Sequence, residues 1–131
     1  MRKEKVMTPE QKFWKLLKPH VPGHVVRIEN SLGSGIPDVN YCYRGRECWI
    51  ELKAGSKLLT SQRTWRETRV RNGGKVFLIE RIGSVIVLTE FVNLVGNTVY
   101  GIETVVPKPF DWSRIENLLK GNHMDAFQGE I

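Results

Sequence analysis

The chain has 131 residues, of which 40% are hydrophobic and 26% are charged, and it contains four tryptophans. This length and composition predict one globular domain and exclude a largely disordered chain. No apolar run approaches the ~20 residues that a membrane helix requires, and no signal-peptide core is recognisable, so we expect no membrane association.

The first predicted element is a helix that begins at Thr8-Pro9-Glu10-Gln11, a capping box with proline at the first helical position. We expect it to end before Pro19. Residues 24–28 predict a strand, and the glycine- and serine-containing residues 30–37 predict a loop. Two further strands, 38–43 and 46–53, are predicted to form a hairpin.

A second helix is predicted from Thr60 or Ser61 to the glycine pair after Asn72. Residues 75–80 and 84–89 predict two more strands, while 93–106 is ambiguous, with one short strand near 98–100 as the favoured interpretation. Asp111 can cap a last helix that ends at Gly121. We therefore expect one domain over residues 1–121 and a flexible tail over 122–131.

The hairpin is the most informative part of the chain. If Arg44-Gly45 forms a two-residue turn, Asp38 lies directly opposite Glu51. Cross-strand Cβ atoms are about 5 Å apart, so two carboxylates at these positions should repel each other. A divalent cation between them would remove that objection. Lys53 projects from the same face as Glu51, because side chains alternate along a strand.

The pattern Pro37-Asp38, followed by Glu51-Leu52-Lys53, resembles the PD-(D/E)XK nuclease superfamily. Gln62, early in the second helix, is similar to a glutamine of the branch that contains Holliday-junction resolvases and VRR-Nuc domains. The resemblance implies that Asp38, Glu51, Lys53 and Gln62 are the catalytic residues. The residues around both motifs, 35–39 and 49–53, are most similar to those of small phage-type VRR-Nuc proteins. The resemblance covers roughly residues 8–80.

The resemblance implies an α/β fold with a restriction-endonuclease-like αβββαβ core, in which helices flank a mixed central sheet. Here C-terminal strands and a helix would be appended to that core. It also implies a metal-dependent DNA endonuclease that acts as a homodimer on junctions, flaps or nicks. Mg²⁺ or Mn²⁺ would be bound by Asp38, Glu51 and the Leu52 carbonyl. Glu10 is the favoured additional ligand, with Glu29 as its rival, although an acid at a helix start is also favoured by the helix dipole.

Basic residues surround this predicted site. Residues 44–75 hold nine basic and three acidic side chains, which accounts for the whole net charge of +6. Such a tract suits a polyanion held through its phosphates. The predicted DNA-binding residues are Lys57, Arg63, Arg66 and Arg69. On the second helix, Gln62, Trp65, Arg66 and Arg69 share one face, which is either a track for the DNA backbone or a buried stripe flanked by solvated arginines.

Other interpretations remain open. The alternatives to a structure-selective nuclease are a non-catalytic DNA-binding module on the same fold and a sequence-specific restriction-type enzyme. Trp14, Trp49 and Trp112 are expected to be core residues and not base-stacking platforms. The only cysteines, Cys42 and Cys48, are not opposite each other in the predicted register, so we expect them to be reduced in an intracellular protein, cytoplasmic in a bacterial host if phage-encoded.

Overall fold

The computed structural model describes residues 6–28, 35–55 and 59–122. These residues form three α-helices and a six-stranded mixed sheet. The elements in chain order are α1 (Pro9–Leu17), β1 (His24–Arg27), β2 (Val39–Tyr43), β3 (Arg46–Ala54), α2 (Thr60–Arg71), β4 (Lys75–Ile82), β5 (Val85–Leu94), β6 (Thr98–Pro107) and α3 (Trp112–Lys120). The predicted α/β class with a mixed sheet is confirmed. All three helices are too short or too polar to cross a lipid bilayer.

The strands lie side by side in chain order, from β1 at one edge to β6 at the other. Every neighbouring pair is antiparallel except β3 and β4, which are parallel. A parallel pair requires a crossover connection, and α2 provides it. The carboxyl ends of β3 and β4 therefore lie at the same end of the sheet as the start of α2.

The capping and turn predictions hold at the residues that carry them. Thr8 Oγ1 accepts a hydrogen bond from the Gln11 N–H at 3.1 Å, and the Thr8 N–H donates to Gln11 Oε1 at 2.8 Å. The Arg44-Gly45 turn has φ angles of 48° and 79°, as a type I′ hairpin turn requires. Asp111 caps α3 by accepting from the Arg114 N–H at 3.1 Å.

The predicted ends of β5 and β6 were wrong. β5 continues five residues beyond the predicted 84–89, and β6 extends to Pro107 instead of ending near residue 100. The two strands pair continuously from Val85–Pro107 to Leu94–Thr98. Residues 90–94 and 101–107 are weakly predicted to be strands from their sequence. They adopt strand structure because each inter-strand hydrogen bond stabilises the neighbouring pair.

The sheet has two unlike faces. On one, which we call the α1–α3 face, Phe13 and Leu17 of α1 and Ile115 and Leu119 of α3 pack against apolar strand residues. On the other, the α2 face, Val70 and Trp65 pack against the sheet. The strand residues in the α1–α3 core include Val39, Tyr41, Ile50, Leu52, Phe77, Ile79, Ile86 and Leu88. Those under α2 are Trp49, Val76, Leu78, Phe91 and Val99.

Candidate active site

The predicted hairpin register is confirmed. Val39 pairs with Ile50 and Tyr43 pairs with Arg46. Asp38 immediately precedes Val39 and Glu51 follows Ile50, so the two carboxylates lie opposite each other one step beyond the last pair. The Asp38 carbonyl accepts the Ile28 N–H at 2.7 Å, which ties the start of β2 to the end of β1.

Asp38 is held by backbone as well as by strand pairing. Its Oδ2 accepts a hydrogen bond from the Leu52 N–H at 2.8 Å. Because the N–H and C=O of one residue in an extended strand point to the same side, the Leu52 carbonyl also points toward the edge where Asp38 lies. The structure thus brings the two predicted carboxylate ligands and the predicted carbonyl ligand to one place.

Glu51 is completely buried, and neither Oε1 nor Oε2 has a hydrogen-bond partner among the described residues. The pKa of Glu51 is raised to about 7, first by burial and then by the charge of Asp38, against the opposing effects of Lys53 and Arg66. Burial also raises the pKa of Asp38, while the Leu52 N–H and Arg27 oppose that rise. A buried carboxylate without partners is costly, so the site favours a bound cation or a proton at Glu51.

Glu10 lies in the first turn of α1, on the helix side that carries Phe13 and Leu17. Its charge raises the pKa of both Asp38 and Glu51, so it is within electrostatic reach of the pair. In the described chain, however, no three acids, histidines or cysteines are grouped closely enough to hold a metal together. A two-carboxylate site still suits Mg²⁺, which is commonly bound through one or two carboxylates, substrate phosphates and water. The rival residue, Glu29, lies outside the described residues.

Lys53 shares the α2 face with Glu51 and is 7% exposed. Its charge lowers the pKa of both carboxylates, which places it near the pair. Across the parallel ladder its partner is Glu80, a half-buried acid that the sequence pattern did not single out. Lys53 and Glu80 both line a cavity of about 350 Å³ at the carboxyl ends of β3 and β4. Only the parallel pairing, which local patterns do not determine, brings Glu80 to this place.

Arg27 is a second residue near the site that the sequence motifs did not indicate. Its Nη1 lies 4.0 Å from Asp38 Oδ1, and its guanidinium lies 5.8 Å from the centre of the Trp14 ring. The charge of Arg27 lowers the pKa of Asp38. The sequence of β1 alone does not indicate that Arg27 lies near Asp38. Only the pairing of β1 with β2 brings the two residues together.

Gln62 lies in the first turn of α2, where its Oε1 accepts the Leu59 N–H at 2.9 Å. This contact caps the helix and gives Gln62 a structural role beside its predicted site role. Next to it, Gly35 has φ +80°, and a Cβ there would lie 2.2 Å from the Ser61 carbonyl oxygen. The chain that leads to Asp38 therefore lies directly on the first turn of α2, and only glycine permits that approach.

The three arginines predicted to bind DNA occupy three different environments on α2. Arg63 is exposed and its Nε lies 3.1 Å from Glu67 Oε1. Arg66 is 7% exposed, its guanidinium lies 4.0 Å from the centre of the Phe91 ring, and its Nε and Nη1 have no hydrogen-bond partner in the described chain. Arg69 is exposed above two tryptophans. Arg66 therefore cannot belong to an exposed track in this conformation, and Lys57 lies outside the described residues.

No protein-family model matches this chain, and no curated protein is similar enough to count as a match.

Proposed function

We propose that this chain is a Mg²⁺- or Mn²⁺-dependent DNA endonuclease that hydrolyses phosphodiester bonds. The observation that carries the proposal is the fixed pair of opposed carboxylates, Asp38 and Glu51. Glu51 is fully buried and has no hydrogen-bond partner for either oxygen among the described residues. The hairpin register keeps the two acids together, so their repulsion and desolvation are a standing cost. A divalent cation would offset both effects.

The order and pairing of the elements support a restriction-endonuclease-like core. A helix is followed by three antiparallel strands, a crossover helix and a fourth strand parallel to the third. In such a core the carboxylates and Lys53 would occupy the positions that the PD-(D/E)XK and VRR-Nuc resemblance assigns to them. β5, β6 and α3 would then be additions to that core.

Asp38, Glu51 and the Leu52 carbonyl would hold the metal, and Glu10, whose charge acts on both carboxylates, is the candidate for a further ligand. The bound cation would supply an activated water and stabilise charge at phosphorus. Lys53 would orient the attacking water or donate to a phosphoryl oxygen as its charge increases. The Leu52 N–H keeps Asp38 in position, and Gln62 fixes the start of α2 beside the site.

The substrate preference is proposed from the resemblance together with the basic charge near the site. The preferred substrate would be branched, flapped or nicked DNA, cut by a homodimer. If the protein is phage-encoded, this would take place in the cytoplasm of a bacterial host. The twofold arrangement would present two sites to the two strands of a junction.

Gel assays on four-way junction, flap, single-stranded and linear duplex DNA, each with Mg²⁺, Mn²⁺ or EDTA, test the proposal. We expect metal-dependent cleavage that EDTA abolishes and that is strongest on branched substrates. Binding without cleavage in either metal would instead identify a non-catalytic DNA-binding module. Cleavage confined to one sequence of linear duplex would identify a restriction-type enzyme.

A further inference from the structure

Two tryptophans and one arginine form a compact group on the α2 face, which we call the tryptophan ledge: Trp49, Trp65 and Arg69. The centres of the two indole rings are 5.3 Å apart, with the rings inclined at 66°. The Arg69 guanidinium carbon lies 5.3 Å from the centre of each ring. Trp49 was predicted to be a core residue, but both tryptophans are only half-buried and Arg69 is exposed.

Two concave spaces of about 320 Å³ each flank Arg69. One is lined by Trp49, Gly74 and the acid Glu47, and the other by Trp65 and Thr68. These volumes are at the lower end of those that hold small ligands. Each space thus offers a planar ligand an aromatic wall with the same cation beside it.

Arg69 is held in place by the turn after α2. The Gly74 N–H donates to the Arg69 carbonyl at 2.9 Å. A Cβ at position 74 would lie 2.7 Å from Arg69 Cγ, so the absence of a side chain there allows the arginine stem to lie along the turn. The guanidinium already lies over both tryptophan rings, so binding there would require little rearrangement of Arg69.

The charge of the ledge decides which ligands fit it. Because the Arg69 guanidinium already lies over both rings, a positively charged ligand would be repelled from the ledge. A planar, phosphate-bearing ligand meets both the aromatic walls and the positive charge. Successive bases of single-stranded DNA bind in this way on aromatic and arginine side chains, largely without sequence preference.

The ledge lies farther along the α2 face from the candidate active site. Trp49 precedes Glu51 by two residues on the same face of β3, a separation of roughly 7 Å along the strand. The two spaces are lined by Asn72 at the end of α2, whereas Lys53 and Glu80 line the cavity at the carboxyl ends of β3 and β4. A base held at the ledge would therefore belong to a nucleotide a few positions away from the phosphate at the candidate active site.

We propose that Trp49, Trp65 and Arg69 bind an unpaired nucleobase a few nucleotides from the cleaved phosphate, so that the substrate carries a single-stranded segment beside the cut. This inference rests on the proposed nuclease function, because it assigns the ledge to the same DNA. A fully paired duplex keeps its bases stacked and would meet the ledge only with its backbone.

The experiment measures DNA binding by fluorescence anisotropy in EDTA. The DNA is a duplex with one splayed, single-stranded arm, and a series of such DNAs carries one abasic site at successive positions in the arm. Bases at one or two positions should stack on the ledge, and losing such a base should weaken wild-type binding about tenfold. The same abasic site should have little effect on Trp65→Leu or Arg69→Ala. Arg69 is exposed, so Arg69→Ala tests the proposal even if Trp65→Leu fails to fold.

Arg71→Ala is the matched control. It removes the same charge from the same helix, but Arg71 pairs with Glu67 at 3.5 Å and donates to the Asn97 carbonyl at 3.3 Å, away from the tryptophans. Arg71→Ala should retain the tenfold abasic effect. An abasic effect that is absent in wild type, or that is equal in wild type and Arg69→Ala, would overturn the ledge proposal.

The two proposals fail in different ways. Metal-dependent cleavage without any abasic effect would support the nuclease proposal and overturn the proposal for the ledge. An abasic effect abolished by Arg69→Ala, in a protein that never cleaves DNA, would support the ledge as a binding site and overturn the nuclease.

Discussion

On β3, Ile50 and Leu52 face α1 and α3 and are completely buried among apolar side chains. Glu51 and Lys53, which alternate with them along the strand, face α2 and are also buried. One strand therefore serves a closed apolar core on one side and a charged site on the other. The comparison suggests that the α1–α3 face supplies the stability that the α2 face loses by burying charge.

The α2 face also differs from the α1–α3 face in whether its buried polar atoms have hydrogen-bond partners. In the core, the Tyr41 hydroxyl donates to the Leu119 carbonyl at 2.8 Å and is satisfied. Under α2, atoms of Glu51 and Arg66 are buried without hydrogen-bond partners in the part of the chain that the structure describes. Unsatisfied buried groups of this kind are rare in proteins and mark sites where a ligand or ion is expected.

The largest expected effect tests whether the α2 face is the chemical one. Asp38→Asn should reduce metal-dependent cleavage at least a thousandfold, because it removes one of two charges that would hold the metal. Plasmid nicking and circular dichroism would measure activity and folding together. Glu103→Gln, a change to an exposed acid on β6, should cleave normally. Robust cleavage by Asp38→Asn would remove the active-site assignment.

The next effect concerns the α1–α3 face. Leu88→Ala should lower the free energy of unfolding by about 2–5 kcal/mol, because Leu88 is 1% exposed in the α1–α3 core and its loss leaves a cavity. Val105→Ala, at a side chain that is 50% exposed, should cost less than about 1 kcal/mol. Urea titrations would measure both. Equal costs would mean that the core does not carry the stability we assign to it.

Glu51→Gln should have the opposite sign in metal-free protein. The folded-state pKa of Glu51 is raised from 4.5 to about 7, so its favourable contribution is present below pH 4.5 and is lost as the pH rises through 7. A pKa difference of this size corresponds to about 3 kcal/mol. In EDTA, the variant should therefore be more stable than wild type at pH 8 by up to that amount, and nearly equal at pH 4.

Urea titrations at pH 4, 6 and 8 would follow this difference. Saturating Mg²⁺ at pH 8 should narrow the gap, because the metal would stabilise wild type through Glu51 and not the variant. A stability difference that does not change with pH would show that Glu51 is not titrating as its buried position predicts.

Lys53→Ala should reduce the single-turnover rate on the order of 100-fold at saturating enzyme while changing DNA affinity much less. A lysine directed at the reacting phosphate acts mainly where charge develops in the transition state. Lys57→Ala should show the reverse pattern, with weaker binding and a nearly unchanged rate. Equal effects of the two changes on the rate would make Lys53 only another phosphate contact.

The smallest effect separates the arginines of α2. Arg63→Ala and Arg69→Ala should each reduce the slope of log affinity against log salt by about one if each side chain contacts one phosphate. Binding titrations between low and moderate salt would measure the slope. Unchanged slopes would assign these exposed arginines to a solvated helix face.

The sequence determined the features that depend on neighbours along the chain. The Thr8 capping box and the Arg44-Gly45 turn are satisfied by hydrogen bonds and backbone angles within a few residues. The turn fixes the hairpin register, and the register places Asp38 opposite Glu51. For this reason the central pair of the candidate site was predictable, since a two-residue turn leaves only one register.

Only the tertiary structure decided the surroundings of that pair. The burial of Arg66 beneath α2, the contact of Gly35 with Ser61, and the position of Glu80 beside Lys53 each join residues that are distant in sequence. Helical periodicity groups Gln62, Trp65, Arg66 and Arg69 on one side but does not state how α2 is rotated or which strands lie beneath it. That rotation is set by the packing of Val70 and Trp65 against Val76, Leu78 and Phe91, and it leaves Arg69 above the tryptophans while enclosing Arg66.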